Sequence, residues 1–299
     1  MAAAPLSVVV ITVESAARLR TCLNALVRQT APPAEILIPW DGCHGGSEAL
    51  EREFPGVRFL PESAAKLTFA QLRARGVAQA TGAIVAITED HFVPAEDWCE
   101  RIGEEHRAPP AAIGGAVEKQ TPDRALGWAF YLADYLRYLD PPPGPSPHLT
   151  DGNVTYKRAA LLEIGGVWRS EFHENVVHAA LSAKGYALWL SPRIVVRQKR
   201  LITLGAALHD RYAFGRLFGS TRVAGMGAAA RLKFAALCVL LPPVLVMRVA
   251  RHLARTRRYR AAAFGAFPAL VLISTVWAWG EFAGYATGRP DESLSARAS

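Results

Sequence analysis

The chain has 299 residues, enough for one large domain with an appendage but too few for three domains of ordinary size. With 51% hydrophobic residues and a mean hydropathy of +0.13, it is unusually apolar for a purely soluble enzyme. The net charge of +8 would suit nucleic acid, an anionic membrane surface or phosphate-bearing substrates. Arginines concentrate after about residue 190 and flank long apolar runs, which favours a membrane surface over nucleic acid as the partner.

The cysteines and the start of the chain indicate a reduced, cytosolic setting. The cysteines are scattered, with no Cys-x-x-Cys pair and no histidine at the spacing of a zinc site. They are Cys22, Cys43, Cys99 and Cys238. No basic segment precedes the first apolar run, so Leu6–Thr12 is predicted to be a buried strand and not a signal peptide.

The first 120 residues alternate short β-branched runs with helical patterns. Repeats of this size predict β-α-β units and therefore a parallel sheet with helices on both faces. The predicted strands are Ser7–Thr12, Glu35–Pro39, Val57–Leu60 and Ala83–Ile87. The predicted helices between them are Ala16–Gln29, Ser47–Phe54 and Phe69–Ala80.

Polar residues follow three of these predicted strands. They are Glu14 after the first strand, Asp41 after the second, and Glu89-Asp90-His91 after the fourth. Ligands of such sheets bind beyond the carboxyl ends of the strands. We therefore expect these side chains to lie together on one rim of the sheet.

The middle of the chain contains further short elements. Strands are predicted at Asp151–Tyr156, Ala187–Leu190 and Ile194–Val196, the last two on either side of Pro192. Helices are predicted at Arg124–Tyr138, Arg158–Ile164 and Glu174–Lys184. The last of these helices ends at Gly185, a residue type that commonly terminates helices.

Beyond residue 200 the sequence becomes basic and apolar. Leu208–Arg222 is predicted to be a basic helix. Phe234–Met247 is an apolar run of only 14 residues, interrupted by Pro242-Pro243, whereas Ala261–Gly280 gives about 20, near the length of a transmembrane helix. Between the two runs lies a basic link that consists of Arg248, Arg251, Arg255, Arg257, Arg258 and Arg260.

The position of the basic link constrains how the two apolar runs meet a membrane. If both runs simply crossed, the link would lie opposite the first 200 residues, against the tendency of Arg and Lys to stay cytoplasmic. The first run is therefore predicted to form a short re-entrant or interfacial hairpin, with the basic link at anionic headgroups. A buried helical hairpin of a soluble protein is the alternative.

The strongest local pattern is the run from Ile84 to Pro94, where a buried strand ends in three consecutive potential metal ligands, Glu89, Asp90 and His91. Carboxylates favour magnesium or manganese, and the imidazole tilts the choice toward manganese. A divalent cation there would neutralise the charge that develops on a leaving diphosphate. The alternative is a solvated turn between a strand and a helix.

This run resembles the Asp-x-Asp region of family 2 glycosyltransferases, which have the GT-A fold. Aligned without gaps, Glu89 takes the first acidic position and His91 the second, which leaves open whether Asp90 or His91 is the direct metal ligand. The resemblance covers roughly residues 6–200. The order and spacing of its motifs are more specific than any single motif.

Three more segments resemble the donor side of the family. Val8–Glu14 resembles the opening strand with its nucleotide-contacting turn, which makes Thr12 and Glu14 candidate donor contacts. Trp40-Asp41-Gly42 resembles the family's Asp-Asp-Gly, so that Asp41 would contact the base or ribose. The stretch from Arg73 to Gly76 resembles Arg-Asn-x-Gly, which makes Arg73 a candidate donor contact, and Glu89 and Asp90 are candidate donor contacts as well.

The acceptor side of the family has counterparts further along the chain. Asp151-Gly152-Asn153 resembles the acceptor-side strand, which makes Asp151 and Asn153 candidate substrate contacts. In the family, the catalytic base is the Asp of an acidic pair that opens a helix ending in Gly, and counting back from Gly185 leads to Glu174. Such a base takes the proton of the acceptor hydroxyl as it attacks the anomeric carbon. The alternative is an ordinary glutamate in the first turn of a helix.

Two further positions match the family weakly. Gln198 stands where many members have a metal-binding histidine. Arg211-Tyr212 resembles the end of the Gln-x-x-Arg-Trp motif of processive members, but Leu208 holds the Gln position, which predicts non-processive transfer. Arg211 is a candidate substrate contact that would close over the diphosphate, or else faces lipid headgroups.

The resemblance implies a GT-A α/β catalytic domain over residues 1–200, and the apolar runs and arginines predict basic amphipathic and hydrophobic, membrane-associated helices over residues 201–299. It implies metal-dependent, inverting transfer of a sugar from a nucleotide-diphospho-sugar to an acceptor hydroxyl, with Mn²⁺ or Mg²⁺ as cofactor. The tail suggests a glycan or lipid acceptor at a membrane surface, and no nucleic acid. The Ala- and Arg-rich composition suggests a bacterial protein of polysaccharide biosynthesis, on the cytoplasmic face of the inner membrane.

Two other functions stay open at this point. The departures from the family pattern at Glu14, His91 and Gln198 allow a catalytically degenerate nucleotide-sugar-binding or scaffold protein of the same fold. A nucleotidyltransferase shares the sheet topology. It would normally carry a Gly-rich loop with Arg or Lys after the first strand, and Glu14–Arg18 is not such a loop.

Overall fold

The computed structural model describes residues 4–42, 45–61, 66–200, 202–223, 225–256 and 258–289. Cys43 and Arg257, named above, lie outside these described residues. The chain forms two compact units. The sheet unit contains the described residues of Met1–Glu118 and Tyr138–Lys199, and the helical unit those of Lys119–Arg137 and Arg200–Ser299. Residues 119–137, which the sequence pattern placed in the N-terminal domain, thus pack with the C-terminal helices.

The nine strands of the described residues form one mixed sheet. In chain order, the strands are β1 Leu6–Ile11, β2 Glu35–Pro39, β3 Val57–Leu60, β4 Ile84–Glu89, β5 Phe92–Pro94, β6 Ala112–Lys119, β7 Gly144–Pro145, β8 Asn153–Lys157 and β9 Leu188–Gln198. Their spatial order is β3-β2-β1-β4-β8-β6-β9-β5, and β7 pairs with β9. β1 and β4 are buried along their whole length, as expected of central strands covered on both faces.

The sheet is parallel in one half only. β3, β2, β1 and β4 run parallel, as the β-α-β pattern predicts. β8 is antiparallel to β4 and to β6, and β5 is antiparallel to β9, so the parallel arrangement predicted from the β-α-β units does not extend beyond β4. The reversal has a consequence for the rim. Residues that precede β8 lie beside residues that follow β4.

The helices in chain order are α1 Ala16–Leu26, α2 Glu48–Glu53, α3 Phe69–Gln79, α4 Trp98–Glu105, α5 Ala125–Asp134, α6 Arg158–Glu163, α7 Gly165–Trp168, α8 Glu174–Ala183, α9 Leu204–Arg222, α10 Ala228–Leu237, α11 Leu241–Thr256 and α12 Arg260–Thr287. Short 3-10 helices occupy Leu136–Tyr138 and Cys238–Leu240. Capping fixes α3, because the Thr68 hydroxyl accepts from the backbone N–H of Gln71 while the Gln71 side chain accepts from that of Thr68.

In the helical unit, α9 and α12 pack at unusually close range. A Cβ atom added at Gly215 or Gly219 of α9 would lie 2.5 Å from a backbone oxygen of α12. A Cβ atom added at Gly280 or Gly284 of α12 would lie 2.2 or 2.3 Å from a backbone oxygen of α9. Glycine at these four positions therefore permits the two backbones to touch.

The two apolar segments form longer helices than the sequence pattern predicted. Helical structure over Ala228–Arg255 and over Arg260–Thr287 is in each case long and apolar enough to cross a membrane. Pro242 and Pro243, which interrupt the 14-residue apolar run, fall in the first turn of α11. Proline is tolerated in the first turn of a helix, where its missing N–H would have no intrahelical acceptor.

Candidate active site

The carboxyl ends of β1 and β4 and the amino end of β8 meet at one rim of the sheet. Ile11 is in register with Glu89, and Thr88 is in register with Asn153. The Thr88 hydroxyl also donates to the carbonyl of Gly152 at 3.0 Å. This register brings the turn after β1, the acidic end of β4 and Asp151 together.

Arg73 of α3 lies at the centre of this rim. Its Nη2 atom is 2.6 Å from Oε1 of Glu89 and 3.4 Å from Oδ2 of Asp151, and its Nη1 atom is 3.6 Å from Oε2 of Glu174. The arginine is 8% exposed. Burial disfavours its charge, but the three carboxylates outweigh that effect and raise the pKa of Arg73. It is therefore a permanent cation that joins three acidic groups.

Glu174 reaches the rim because the segment before α8 is fixed to α3. The backbone N–H of Phe172 donates to the carbonyl of Ala70 at 2.8 Å, and the Phe172 ring packs between Tyr156 and Trp168. Glu174 is then the first residue of α8, with 25% of its side chain exposed. A carboxylate that is half-shielded yet reachable from solvent can meet an incoming acceptor.

Asp151 is the most open acid of the cluster, with 40% of its side chain exposed. Desolvation and the neighbouring charge of Glu89 raise its pKa, while Arg73 acts in the opposite direction. Its carboxylate therefore stands between the buried end of β4 and solvent. That position suits the substrate contact that the sequence predicts.

Asp90 organises the turn that follows β1. Its Oδ2 atom accepts the backbone N–H groups of Glu14 at 2.8 Å and of Ser15 at 3.0 Å. Ser15 in turn caps α1 by accepting from the backbone N–H of Arg18. With only 1% of Asp90 exposed, this carboxylate sets the path of the backbone around Glu14.

His91 is buried without a hydrogen bond to either ring nitrogen from the residues that the structure describes. It is 4% exposed, and its Nδ1 atom lies 3.5 Å from Oε2 of Glu89 and 3.7 Å from Oδ1 of Asp90. Burial disfavours the imidazolium, but the nearby carboxylates of Asp90, Glu89 and Glu14 outweigh that effect and raise the pKa of His91. Buried polar atoms normally have a hydrogen-bond partner, so these two nitrogens are unusual.

The residues at the end of β4 fit a small divalent cation after a small rearrangement. Within the part of the chain that the structure describes, no three His, Cys, Asp or Glu side chains form a ready-made metal cluster. Adjacent ligands of an octahedral cation at about 2.1 Å lie about 3.0 Å apart. The 3.5 and 3.7 Å separations around His91 must therefore shrink by about half an ångström, and Glu89 must share its carboxylate with Arg73.

The predicted nucleotide contacts occupy the same rim. Thr12 is 5% exposed, and its hydroxyl has no hydrogen-bond partner among the described residues. The Glu14 carboxylate lies 3.8 Å from the Arg18 guanidinium. Asp41 directly follows Trp40 after β2, which is parallel to β1 and adjacent to it. The roles of these residues stay predictions, but their strand ends are neighbours.

Comparison with known proteins identifies the family. The model of Glycosyl transferase family 2 matches residues 7–165, which is more than half of the chain. The chain belongs to glycosyltransferase family 2. Glycosyltransferase AglE of Haloferax volcanii is 30% identical to this family 2 chain over 101 residues, and the match covers 32% of the chain and 33% of AglE. The chain thus matches only about a third of that relative's length.

Solved structures confirm the fold of this family 2 chain. The mannosyltransferase PcManGT from Pyrobaculum calidifontis, in complex with GDP-Man and Mn²⁺, has a TM-score of 0.54 at 16% identity. The likeness covers 92% of this chain and 87% of PcManGT. GalNAc-T7 with UDP, GalNAc and Mn²⁺ has a TM-score of 0.52 at 16% identity, over 67% of this chain and 44% of GalNAc-T7. The predicted GT-A fold, followed by long apolar helices, is confirmed.

The structure gives Asn153 of the family 2 chain a different place from the predicted substrate contact. Its Oδ1 atom accepts from Trp98 Nε1 at 3.0 Å, and its Nδ2 atom donates to the carbonyls of Ala116 and Ile194, each at 2.9 Å. The side chain is 0% exposed. Asn153 therefore ties β6, β8, β9 and α4 together.

The structure places Arg211, a predicted substrate contact, in a packed ion pair. In the helical unit, its guanidinium pairs with both carboxylate oxygens of Asp134, at 2.8 and 2.5 Å. It stacks on the ring of Phe130 at 4.1 Å and faces Trp277 at 5.8 Å. At 7% exposure it joins α5, α9 and α12. A bidentate, stacked arginine of this kind is a packing element.

The pairing between β5 and β9, which encloses the backbone of His91, was not predicted from the sequence. Phe92 is in register with Gln198, and the backbone N–H of Lys199 donates to the carbonyl of His91 at 3.1 Å. Gln198 is 0% exposed. Gln198, at the position of the family's metal-binding histidine, is thus adjacent to His91, at the position of the family's second acid. The weak strand signal of three residues in β5 gave no basis for predicting this pairing.

Proposed function

We propose that the chain transfers a sugar from a nucleoside-diphosphate sugar to an acceptor hydroxyl with inversion at the anomeric carbon. The observation that carries the proposal is the cluster in which Arg73 meets Glu89, Asp151 and Glu174 at the carboxyl edge of the sheet. Membership of glycosyltransferase family 2 and the likeness to PcManGT support it.

Glu174 acts as the catalytic base. Its carboxylate accepts the proton of the acceptor hydroxyl while the acceptor oxygen forms a bond to the anomeric carbon. The bond from that carbon to the diphosphate breaks in the same displacement, so the configuration inverts and the nucleoside diphosphate leaves. The half-shielded position of Glu174, beside the more exposed Asp151, gives the acceptor access from solvent.

The donor binds along the rim formed by β1, β2 and β4. Thr12, Glu14 and Asp41 contact the nucleotide, and Arg73 contacts the diphosphate. Glu89, with Asp90 or His91, holds Mn²⁺ or Mg²⁺, which supplies Lewis-acid neutralisation of the leaving diphosphate when bound. The unpartnered buried atoms of Thr12 and His91 support these assignments, because buried polar atoms normally find a partner.

The helical unit associates with a membrane. One face of α12 exposes apolar side chains over five turns, about 27 Å at the rise of an α-helix and close to the thickness of a bilayer core. The exposed side chains of this lipid stripe are Phe264, Phe267, Val271, Trp279 and Phe282. Residues 201–299 carry 13 Lys and Arg against 4 Asp and Glu, which supports an anionic surface as the partner.

Membrane association determines the class of acceptor that we propose. A chain held at a bilayer meets lipids and lipid-linked glycans at a much higher local concentration than soluble sugars. We place the catalytic unit on the cytoplasmic face of a bacterial inner membrane, where nucleotide sugars are made. The acceptor is accordingly a lipid or a lipid-linked glycan of polysaccharide biosynthesis.

The test measures donor hydrolysis and thermal stabilisation of the purified chain with UDP-, GDP- and dTDP-sugars, with and without Mn²⁺. Wild type is compared with Glu174→Gln and with the control Glu171→Gln, an exposed glutamate three residues earlier. Stabilisation by one nucleotide class, with hydrolysis lost in Glu174→Gln alone, is the expected result. Turnover that survives Glu174→Gln would rule out this residue as the base.

A specific observation favours a second candidate, a nucleotide-sugar-binding protein without turnover. Glu89 already holds Arg73 at 2.6 Å, and Gln198 replaces the family's histidine beside His91. Metal-dependent nucleotide binding with no transfer and no hydrolysis in the same assay would establish this reading. Release of pyrophosphate from a nucleoside triphosphate and a sugar phosphate would instead point to nucleotidyl transfer.

A further inference from the structure

The Glu89 carboxylate faces two different groups with its two oxygens. Oε1 lies 2.6 Å from the Arg73 guanidinium, whereas Oε2 lies 3.5 Å from Nδ1 of His91. The arginine therefore already takes up half of the carboxylate that a divalent cation would bind. The other half points at a buried imidazole with no hydrogen-bond partner among the described residues.

The charges of the cluster explain why an arginine lies at its centre. Glu89, Asp151 and Glu174 converge within 4 Å of one guanidinium, and Arg73 balances one of their three negative charges when all three are ionised. Carboxylates at such separations repel each other strongly unless a cation lies between them. Arg73 thus does in the free protein what a divalent cation would do in a metal-loaded one.

We propose that Arg73 is an internal counter-cation that competes with a divalent cation for Glu89. The free protein then binds the cation weakly. The cation enters when a diphosphate draws the guanidinium away from Glu89, which makes metal and donor binding mutually dependent. This last step rests on the proposed function, whereas the competition between Arg73 and the cation does not.

Arginine geometry supports the exchange. The planar guanidinium offers several N–H donors, and a diphosphate is a better match for that fork than three separate carboxylates at 2.6, 3.4 and 3.6 Å. Of the three contacts, only that to Glu89 is within normal hydrogen-bond distance for a charged pair. Its loss on donor binding would free the oxygen that the cation needs.

The experiment titrates full-length protein with Mn²⁺ in the absence of nucleotide and follows free Mn²⁺ by electron paramagnetic resonance. Arg73→Met keeps the length of the side chain and removes its charge, so its Mn²⁺ affinity is expected to rise at least tenfold over wild type. Mn²⁺ should also raise the melting temperature of Arg73→Met more than that of wild type. Equal or weaker binding by folded Arg73→Met overturns the proposal.

Two further variants sharpen the test. Arg75 lies on the same helix and contacts the carbonyl of Pro61. The control variant Arg75→Met should therefore bind Mn²⁺ as tightly as wild type does. Arg73→Lys keeps a positive charge but cannot bridge three carboxylates, so its affinity should lie between those of wild type and Arg73→Met. If Arg73→Met does not fold, the test rests on Arg73→Lys. The proposal is then overturned if Arg73→Lys binds Mn²⁺ no more tightly than wild type does.

The result is separable from the fate of the proposed function. Tighter Mn²⁺ binding by Arg73→Met together with no sugar transfer by wild type would support the role of Arg73 as a counter-cation and contradict the proposed transferase function. Sugar transfer by wild type with unchanged Mn²⁺ binding in Arg73→Met would support the transferase function and contradict the role of Arg73 as a counter-cation. A nucleoside diphosphate that fails to increase the Mn²⁺ affinity of wild type would overturn the mutual dependence of metal and donor.

Discussion

The Tyr156 hydroxyl on β8 lies 2.9 Å from Nε2 of His178 on α8, inside the sheet unit. Both side chains are buried, and their rings stack with centroids 5.9 Å apart. His178 lies one helical turn after Glu174, so this bond fixes the start of α8 against the sheet. The position of the proposed base therefore depends on a neutral, hydrogen-bonded histidine beneath it.

This pairing predicts a loss of stability in mild acid. Burial, with the charge of His148, lowers the pKa of His178 from 6.5 to about 4. As the pH falls, the unfolded chain binds a proton on His178 near pH 6.5, whereas the folded chain binds it only near pH 4. His178 therefore lowers the free energy of unfolding as the pH falls from 6.5 toward 4, by about 3 kcal/mol in all, and has no such effect above pH 6.5.

Urea unfolding between pH 4.5 and 7.5, of wild type and of His178→Gln, measures this effect. Glutamine retains a hydrogen bond to Tyr156 but does not titrate, so its stability should fall less steeply below pH 6.5. Some slope will remain, because burial also lowers the pKa of His106 to about 3. Parallel curves for the two proteins would show that His178 is not the group responsible.

Asp90 should prove essential for the turn after β1. Asp90→Ala leaves the backbone N–H groups of Glu14 and Ser15 without an acceptor, at an expected cost of about 2–4 kcal/mol. Asp90→Asn keeps an oxygen acceptor and should cost less than half of that. The control is Asp97→Ala, which removes a half-exposed carboxylate whose pair with Arg101 contributes at most about 1 kcal/mol. Denaturant unfolding gives all three values, and similar losses for Asp90→Ala and Asp97→Ala would contradict the assignment.

The sequence predicted the parallel half of the sheet well because each of its elements carries its own periodicity. β1, β2, β3 and the helices between them lie close to the predicted ranges. β6 was missed because it contains Gly114 and Gly115, and glycine argues against a strand. A Cβ atom at Gly115 would lie 2.2 Å from Asn153 Nδ2, so glycine is required there by a neighbouring strand far away in sequence.

The candidate site shows the same division between local and long-range information. Position after a strand sufficed to place Glu89 and Asp90 on a common rim with Glu14. The convergence of Arg73 with Glu174 depends on the bond from Phe172 to Ala70, which joins segments that no sequence periodicity relates. Arg211 was predicted to contact the substrate from its motif, and nothing in the sequence indicated its partner Asp134, 77 residues earlier. Pairing over such distances in sequence is not encoded in a motif.

The lipid stripe on α12 predicts that the helical unit holds the chain on vesicles. Replacing Phe264 and Trp279 by serine removes two exposed aromatic side chains, each worth about 1.5–3 kcal/mol when buried in an apolar phase. Partition into vesicles that contain anionic lipid should fall at least tenfold. Leu162→Ser, at an exposed apolar site of the sheet unit, is the control and should leave partition unchanged. Flotation assays measure partition, and a double variant that floats like wild type would exclude the stripe as the lipid-facing surface.

The crossing of α9 and α12 should tolerate no side chain at its glycines. In Gly280→Ala the new Cβ atom would lie 2.2 Å from the carbonyl oxygen of Tyr212, so the two helices must separate and their interface loses contacts. Gly265→Ala changes the same helix at a position with no heavy atom within 4 Å of the new Cβ, and the higher helix propensity of alanine should stabilise it by up to about 1 kcal/mol. Thermal unfolding in detergent should therefore shift in opposite directions for the two variants. A common shift would show that helix propensity, and not the close crossing, determines the effect of these glycines.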